Sequence, residues 1–362
     1  MMTRIKHLYI HVPFCKSICS YCDFCHRVYN NDLSDKWLIR ITKEFKECND
    51  EQYETIYIGG GTPTSLTDQQ LERLFKLIKP HTYRVKEYSI EVNPESLTFN
   101  KIKLFNKYGI NRVSMGLQSS NDRLLKLMNR HHSFGDVSKA CKLLKDNGID
   151  NISLDIMYSI PTQTMNDLIK TIDDALSLKV PHLSLYSLTI EENTVFGKKG
   201  YTPLDEEIEA DMYEYIIDTL KKNKYEYYEI ANFAKKGYES KHNLGYWRYE
   251  DFRGLGCGSS SKIGSIRYDK TKDINKYINS EDIIETTYKL SKDDKMFENI
   301  MMSLRTSEGL DINKFNKKYN VDILSHYKDA INKNQKSIII SNDKLIVKNR
   351  MILNSALIDF LK

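Results

Sequence analysis

Six short β-rich runs recur along the first half of the chain: LYIHV (8–12), TIYIG (55–59), YSIEVN (88–93), RVSMGLQ (112–118), NISLDIMYSI (151–160) and LSLYSLTI (183–190). They begin roughly 25–45 residues apart, and helical patterns fill the gaps. In 37–48 the residues Leu38, Ile41, Phe45 and Cys48 share one helical face, as do Ile208, Met212, Ile216 and Leu220 in 206–222. Gly109 and Gly148 follow two such helices and supply left-handed C-caps. Strands alternating with helices in this way imply right-handed crossovers and a parallel sheet, so the chain predicts an α/β fold closing as a partial (βα)6 TIM-like barrel. In such a barrel the chemistry collects at the C-terminal ends of the strands.

After about residue 225 the periodicity lapses, and YEYYEIANFAKKGYESKHNLGYWRYEDFRGLGCGSSSKIG mixes aromatics, glycine and polar residues. That stretch reads as a loop-rich extension. Helical patterns resume near residue 290, followed by a hairpin candidate, SIIISNDKLIVKN, and a last helix. They suggest a small, mainly helical, winged-helix-like domain that serves packing or a partner, since no basic recognition helix stands out. The predicted division is 1–225, 226–285 and 286–362.

With 362 residues, 40% hydrophobic and 28% charged, the chain has the composition of a globular protein and length for a large core. A net charge of +5 is too small for a chain of this length to argue nucleic-acid binding. No apolar run reaches the length of a membrane span, and MMTRIKHLYIHVPF lacks the long apolar segment of a signal peptide. The cytoplasm is therefore the expected compartment.

The loop after the first strand, HVPFCKSICSYCDFCHRVYN (11–30), holds Cys15, Cys19, Cys22 and Cys25, four of the seven cysteines. In a reducing compartment such crowding points to metal or redox chemistry more than to a disulfide framework. Cys15, Cys19 and Cys22 form C-x3-C-x2-C, which suits three corners of a [4Fe–4S] cubane and leaves one iron open. Zinc would want a fourth protein ligand, and the usual second ligand pair is absent further along. A thioredoxin-type dithiol would leave the other thiols unexplained. Cys48 and Cys141 fall on apolar helix faces and read as small core residues.

C-x3-C-x2-C after a barrel's first strand is the signature of the radical S-adenosylmethionine (SAM) superfamily, which the chain resembles. Further segments narrow the resemblance: GGGTPTSL, IEVNPE, NRVSMGLQSS, LMNRHH, LDIMYSIPTQT, SLTIEENTVF, YYEIANFAKKG and HNLGYW. They occur in the order found in the family that unites oxygen-independent coproporphyrinogen dehydrogenase with the HemW heme chaperones. The match runs over most of residues 8–260, and it is nearest to the chaperone branch on two grounds. Only eight residues precede Tyr9, so no counterpart of the N-terminal extension of the coproporphyrinogen enzyme is expected. HNLGYW also resembles the HNxxYW motif proposed to take part in heme binding in that branch.

The resemblance implies a radical SAM barrel whose cluster, held by Cys15, Cys19 and Cys22, leaves its open iron to the amino and carboxylate groups of SAM. An electron from the cluster then cleaves the sulfonium to a 5′-deoxyadenosyl radical. Residues carried over for SAM are Tyr9, Tyr21, Gly60, Gly61, Thr62, Glu91, Gln118, Arg130 and Asp155. Those carried over for heme are His242, Asn243, Tyr246 and Trp247, with the imidazole as a candidate axial ligand and the rings as stacking surfaces. Glu91 and Asp155 also attract notice by themselves, being carboxylates in otherwise apolar strands, where a charge needs a partner or a ligand.

Three departures from the family pattern stand out. Cys25 lies one residue beyond the additional cysteine of the coproporphyrinogen enzyme and reads as a bystander thiol. Ser159 takes the place of a usual glycine, and GLGCGSSS replaces GxGxGAHS, with Cys257 and Ser260 in the altered places. The expected function is a heme chaperone that carries a [4Fe–4S] cluster, SAM and heme and delivers heme to apo-hemoproteins, with respiratory, membrane-associated recipients and peripheral membrane contact in view. The alternative is oxygen-independent oxidative decarboxylation of coproporphyrinogen III; a radical-SAM methyltransferase comes third. The electron donor is not legible, and no nucleic-acid partner is expected.

Overall fold

The computed structural model describes residues 5–348, 350 and 353–361. Six strands, β1 (His7–Val12), β2 (Thr55–Gly60), β3 (Glu87–Val92), β4 (Arg112–Gln118), β5 (Ile152–Tyr158) and β6 (His182–Ser187), pair in sequence order, each parallel to the next. Their apolar residues are buried on both faces, as expected for parallel strands between crossover helices and a barrel interior. The crossover helices include α1 (Asn31–Glu47), α2 (Asp68–Ile78), α3 (Phe99–Tyr108), α4 (Phe134–Asp146) and α5 (Met165–Ser177). Capping boxes start α2, α4 and α5 at Thr67, Ser133 and Thr164. Gly109 ends α3 in the left-handed conformation at φ 83°.

Trp37, Leu38, Ile41 and Phe45 of α1 pack into the core, with Cys48 just beyond the helix. In α6 (Glu206–Lys222), Met212, Ile216 and Leu220 are buried, whereas Ile208 in the first turn is 45% exposed.

The stretch read as loop-rich after residue 225 builds both ends of the sheet. Two short strands, β7 (Glu226–Tyr227) and β8 (Asn232–Ala234), add antiparallel pairing beyond β6. Next, α7 (Lys241–Trp247) carries HNLGYW, and β9 (Phe252–Leu255) lies parallel to β1 on its other side. A meander of β10 (Ser260–Ile263), β11 (Ile266–Lys270) and β12 (Ile284–Lys289) completes it. The order among the described residues is β12-β11-β10-β9-β1-β2-β3-β4-β5-β6-β8-β7. Periodicity missed most of these pieces because strands of two to five residues give too few repeats of a period-2 pattern.

From Lys292 onward short helices surround a separate apolar core that includes Met296, Ile300, Phe315, Leu345 and Phe360. The expected hairpin is present as β14 (Ile338–Ser341) and β15 (Lys344–Val347), with β13 (Leu310–Asp311) on the far side of β15. Its turn residues Asn342 and Asp343 both have positive φ, the demand of a two-residue hairpin loop met by Asn-Asp. An Arg267–Glu298 ion pair links this region to the sheet, and an Arg248–Glu308 pair links it to the end of α7. Among the described residues no helix is long and apolar enough to cross a membrane.

Candidate functional site

The cysteine loop leaves β1 and is pinned at its neck, where Phe14–Cys15 pairs parallel with Arg27–Val28. Its tip is tied to the chain after β4: Ser20 N donates to Met128 O at 3.0 Å, and Asn129 Nδ2 donates to Ile18 O at 2.7 Å. The strands thereby bring Cys15, Cys19 and Cys22 to one wall of a cavity of about 420 Å³ at the C-terminal end of the barrel. The Cys15 sulfur accepts from Thr62 Oγ1 at 3.6 Å and the Cys19 sulfur from Arg130 Nη1 at 3.5 Å. A Cβ at Gly61 would sit 2.7 Å from Phe14 O and 3.0 Å from the Cys15 sulfur, so glycine is what lets β2 approach the loop.

The donor set fits a cluster. Three thiols of one loop, Cys15, Cys19 and Cys22, line the same cavity, one for each of three corners of a cubane. Burial pushes the Cys15 thiol up to about 11 and the Cys22 thiol up to about 12, so apart from a metal both stay protonated.

Glu91 and Asp155 line the same cavity. Glu91 accepts from Tyr57 Oη at 2.9 Å and from Gly60 N at 3.0 Å; Asp155 accepts from Ser114 Oγ at 3.0 Å. Both face the cavity and are enclosed by protein elsewhere, and among the described residues neither forms a salt bridge. Burial first, then mutual repulsion, raises Glu91 to about 7, and burial raises Asp155 to about 6. Two carboxylates left without a bound counter-charge suit a ligand that brings positive charge. Arg130 is committed elsewhere, to Cys19, Asn93 Oδ1 (2.9 Å) and Gly116 O (3.3 Å), with its Nε unpartnered.

Of the residues expected to meet SAM, Tyr21, Gly60, Gly61, Thr62, Glu91, Gln118, Arg130 and Asp155 all line this cavity. Gln118 does so from a left-handed backbone, φ 62°, at an irregularity in the β4–β5 pairing. Tyr9 does not: its ring stacks on Tyr57 and its hydroxyl meets His11 Nδ1 at 2.9 Å, one layer below the lining. Ser159 holds the usual glycine's place at φ 59° and donates to Glu209 at 2.9 Å. Asn93, Arg112, Ser114, His182, Ser184 and Tyr186 also line the cavity and escaped the sequence reading. Their signal was the period of two: Ser114, Gly116 and Gln118 alternate inward on β4, as do His182, Ser184 and Tyr186 on β6.

HNLGYW is divided by the fold. His242 is 1% exposed and stacks on Tyr57, with Nδ1 meeting Thr55 Oγ1 at 2.7 Å and Nε2 meeting Tyr246 Oη at 2.9 Å. Burial keeps the imidazole neutral. Both ring nitrogens are thus engaged inside the protein. Tyr246 and Trp247 instead line a second cavity of about 560 Å³, with Phe252, Ile230, Met301 and Met302 among its other walls. Asn243 and Tyr186 line both cavities and form part of the wall between them. Ser260, where the family has histidine, also borders the second cavity and donates to Asp269.

The glycine of HNLGYW has its own task. A Cβ at Gly245 would lie 2.4 Å from the His7 ring, which Thr55 (2.8 Å) and Glu250 (2.7 Å) hold in place. Gly245→Ala is expected to destabilise the protein by about 1–3 kcal/mol despite alanine's better helix propensity, read as a lower Tm of the purified chain. An unchanged Tm would mean that the His7 ring moves freely.

Residues 9–175 match the Radical SAM superfamily and residues 290–347 the HemN C-terminal domain. Among curated relatives, the heme chaperone HemW of Lactococcus lactis is 36% identical, with 97% of this chain and 93% of that one aligned. HemW of Bacillus subtilis is 36% identical over 87% of each chain, and HemW of Escherichia coli 32% over 83% and 82%. Among solved structures, the coproporphyrinogen III oxidase HemN of Escherichia coli, a radical SAM enzyme, superposes with a TM-score of 0.85 at 20% identity, covering 99% of this chain and 90% of that one. With full-length similarity to HemW proteins and a cysteine-lined barrel cavity, the chain belongs to the HemW family of the radical SAM superfamily.

Proposed function

We propose that the protein is a heme chaperone that keeps its radical SAM centre and its cargo in neighbouring compartments. The observation that carries this reading is the pair of cavities sharing Asn243 and Tyr186. Cys15, Cys19 and Cys22 hold a [4Fe–4S] cluster in the first, and Glu91, Asp155, Gln118 and Arg130 surround the SAM beside it. When bound there, the cluster and SAM supply one-electron chemistry. Glu91 and Asp155 balance the cationic ligand, Gly60 lines the site and holds Glu91 through its N–H, and Thr62 and Arg130 steady the Cys15 and Cys19 sulfurs.

Heme, as cargo, occupies the second cavity. Tyr246 and Trp247 offer flat rings to a macrocycle there, and Met301 and Met302 are soft thioethers on the same wall. His242 acts as a positioning residue through its hydrogen bond to Tyr246 rather than as the axial ligand. Asn243, in the shared wall, touches both occupants. In this reading the cargo is delivered to apo-hemoproteins, membrane-associated respiratory ones among them, and the site that holds it lies between the sheet and Met301 and Met302 of the C-terminal region.

The test is an anaerobic hemin titration of the reconstituted protein, followed in the Soret region with coproporphyrin as competitor. Trp247→Ala should weaken saturable heme binding about tenfold or more. His242→Gln, which keeps hydrogen-bonding capacity, should leave the Soret position unchanged; a shifted band would restore His242 as the ligand. Coproporphyrin binding without heme binding would favour the decarboxylase reading instead.

A further inference from the structure

The fold brings together Cys25 of the cysteine loop and Cys257 of GLGCGSSS. Their sulfurs lie 3.6 Å apart although the residues are separated by more than 200 positions. Cys25 points away from the cysteine-lined cavity, and its carbonyl accepts from His11 Nε2 at 2.7 Å. The two thiols also reach consecutive carbonyls, Cys257 to Thr271 O at 3.1 Å and Cys25 to Lys272 O at 3.4 Å. Glycines flank Cys257: a Cβ at Gly258 would stand 2.6 Å from Cys25 Cβ, so only glycine permits the approach. Cys257 is fully buried, while Cys25 is 8% exposed beside Phe24, which is 66% exposed.

We propose that Cys25 and Cys257 are a peroxide-responsive dithiol whose disulfide staples the end of the cysteine loop to the turn between β9 and β10. Cys25 is the attacking sulfur, being the less buried partner; the thiol of Cys257 and the nearby His11 both favour its thiolate. The thiolate breaks the peroxide O–O bond, forming Cys25 sulfenic acid and releasing hydroxide, which takes a proton to become water. The Cys257 sulfur then attacks the Cys25 sulfur, the S–O bond breaks, and a second water leaves with the Cys257 proton. Two thiols lose two electrons in all and one peroxide becomes two waters. A dithiol reductant reverses the bond. None of these steps uses Cys15, Cys19 or Cys22, so the pair stands whether or not the loop holds a cluster.

The experiment treats the reconstituted full-length protein with one equivalent of hydrogen peroxide, blocks thiols under denaturing conditions and maps the peptides by mass. The expected product joins the Cys25 and Cys257 peptides in most chains, disappears after dithiothreitol and is absent from Cys257→Ala. Cys48 and Cys141, each a buried solitary thiol, should remain alkylatable. Alkylated Cys25 and Cys257 after peroxide, Cys25 sulfinic acid without a crosslink, or a linkage confined to Cys15, Cys19 and Cys22 would each overturn the proposal.

Discussion

Replacing Cys15, Cys19 or Cys22 with serine should abolish the brown absorbance of the anaerobically reconstituted protein, while Cys25→Ser should keep it. An alcohol oxygen is a hard, weakly acidic donor that does not replace a thiolate on iron. The three sulfurs that line the barrel cavity are the ones positioned to share a cluster, with Thr62 and Arg130 donating to two of them. Cys25 faces Cys257 in another compartment of the core. Iron and sulfide analysis of each variant checks the point. Loss of the cluster in Cys25→Ser, with the fold intact by circular dichroism, would make Cys25 a ligand and remove it from the proposed dithiol.

A second large effect is expected at Glu91. Its carboxyl is raised to about 7 by burial and by Asp155, so the ligand-free protein binds a proton there that the unfolded chain gives up near 4.5. Stability of the ligand-free state therefore falls as pH rises from about 4.5 through 7. A cationic ligand reverses the preference, because it favours the carboxylate. SAM affinity of the reconstituted protein should accordingly rise about tenfold between pH 6 and 8, with Asp155 adding a smaller contribution at the lower end. Glu91→Gln should lose most of that slope, bind SAM roughly 10–100-fold more weakly at pH 8, and gain stability there without ligand. Equilibrium dialysis at three pH values decides it; an unaltered slope in the variant would show that the carboxylate does not meet the ligand's charge.

The six parallel strands and the cysteine loop were legible in the sequence because both are local patterns: apolar runs bounded by turn residues, and thiols within eight positions. The additions at the two ends of the sheet were not: β7 and β8 are two and three residues long, and β9 pairs with β1, more than 240 residues away. Within the site, the unpaired carboxylates of Glu91 and Asp155 announced themselves by residue type. The small inward residues, such as Ser114 and Ser184, are ordinary in composition and gain meaning only from the strand period. His242 illustrates the opposite hazard: a histidine in a suggestive motif has both nitrogens satisfied once Thr55 and Tyr246 arrive from elsewhere. Likewise Cys25 and Cys257 are unremarkable singly, and only the fold makes them a pair.

The pairing of β1 with β9 bears on how the protein is made. His7–Ile10 lies against Phe252–Leu255, so the strand that launches the cysteine loop has one neighbour translated early and the other more than 240 residues later. During synthesis β1 can join β2 promptly, yet its other edge stays open until residue 255 has left the ribosome. The floor beneath the loop, including the contact of Gly256 with the backbone of His11, is then laid last among the parallel strands. A nascent fragment that already displays all three cysteines therefore still lacks one of the two strands that flank β1.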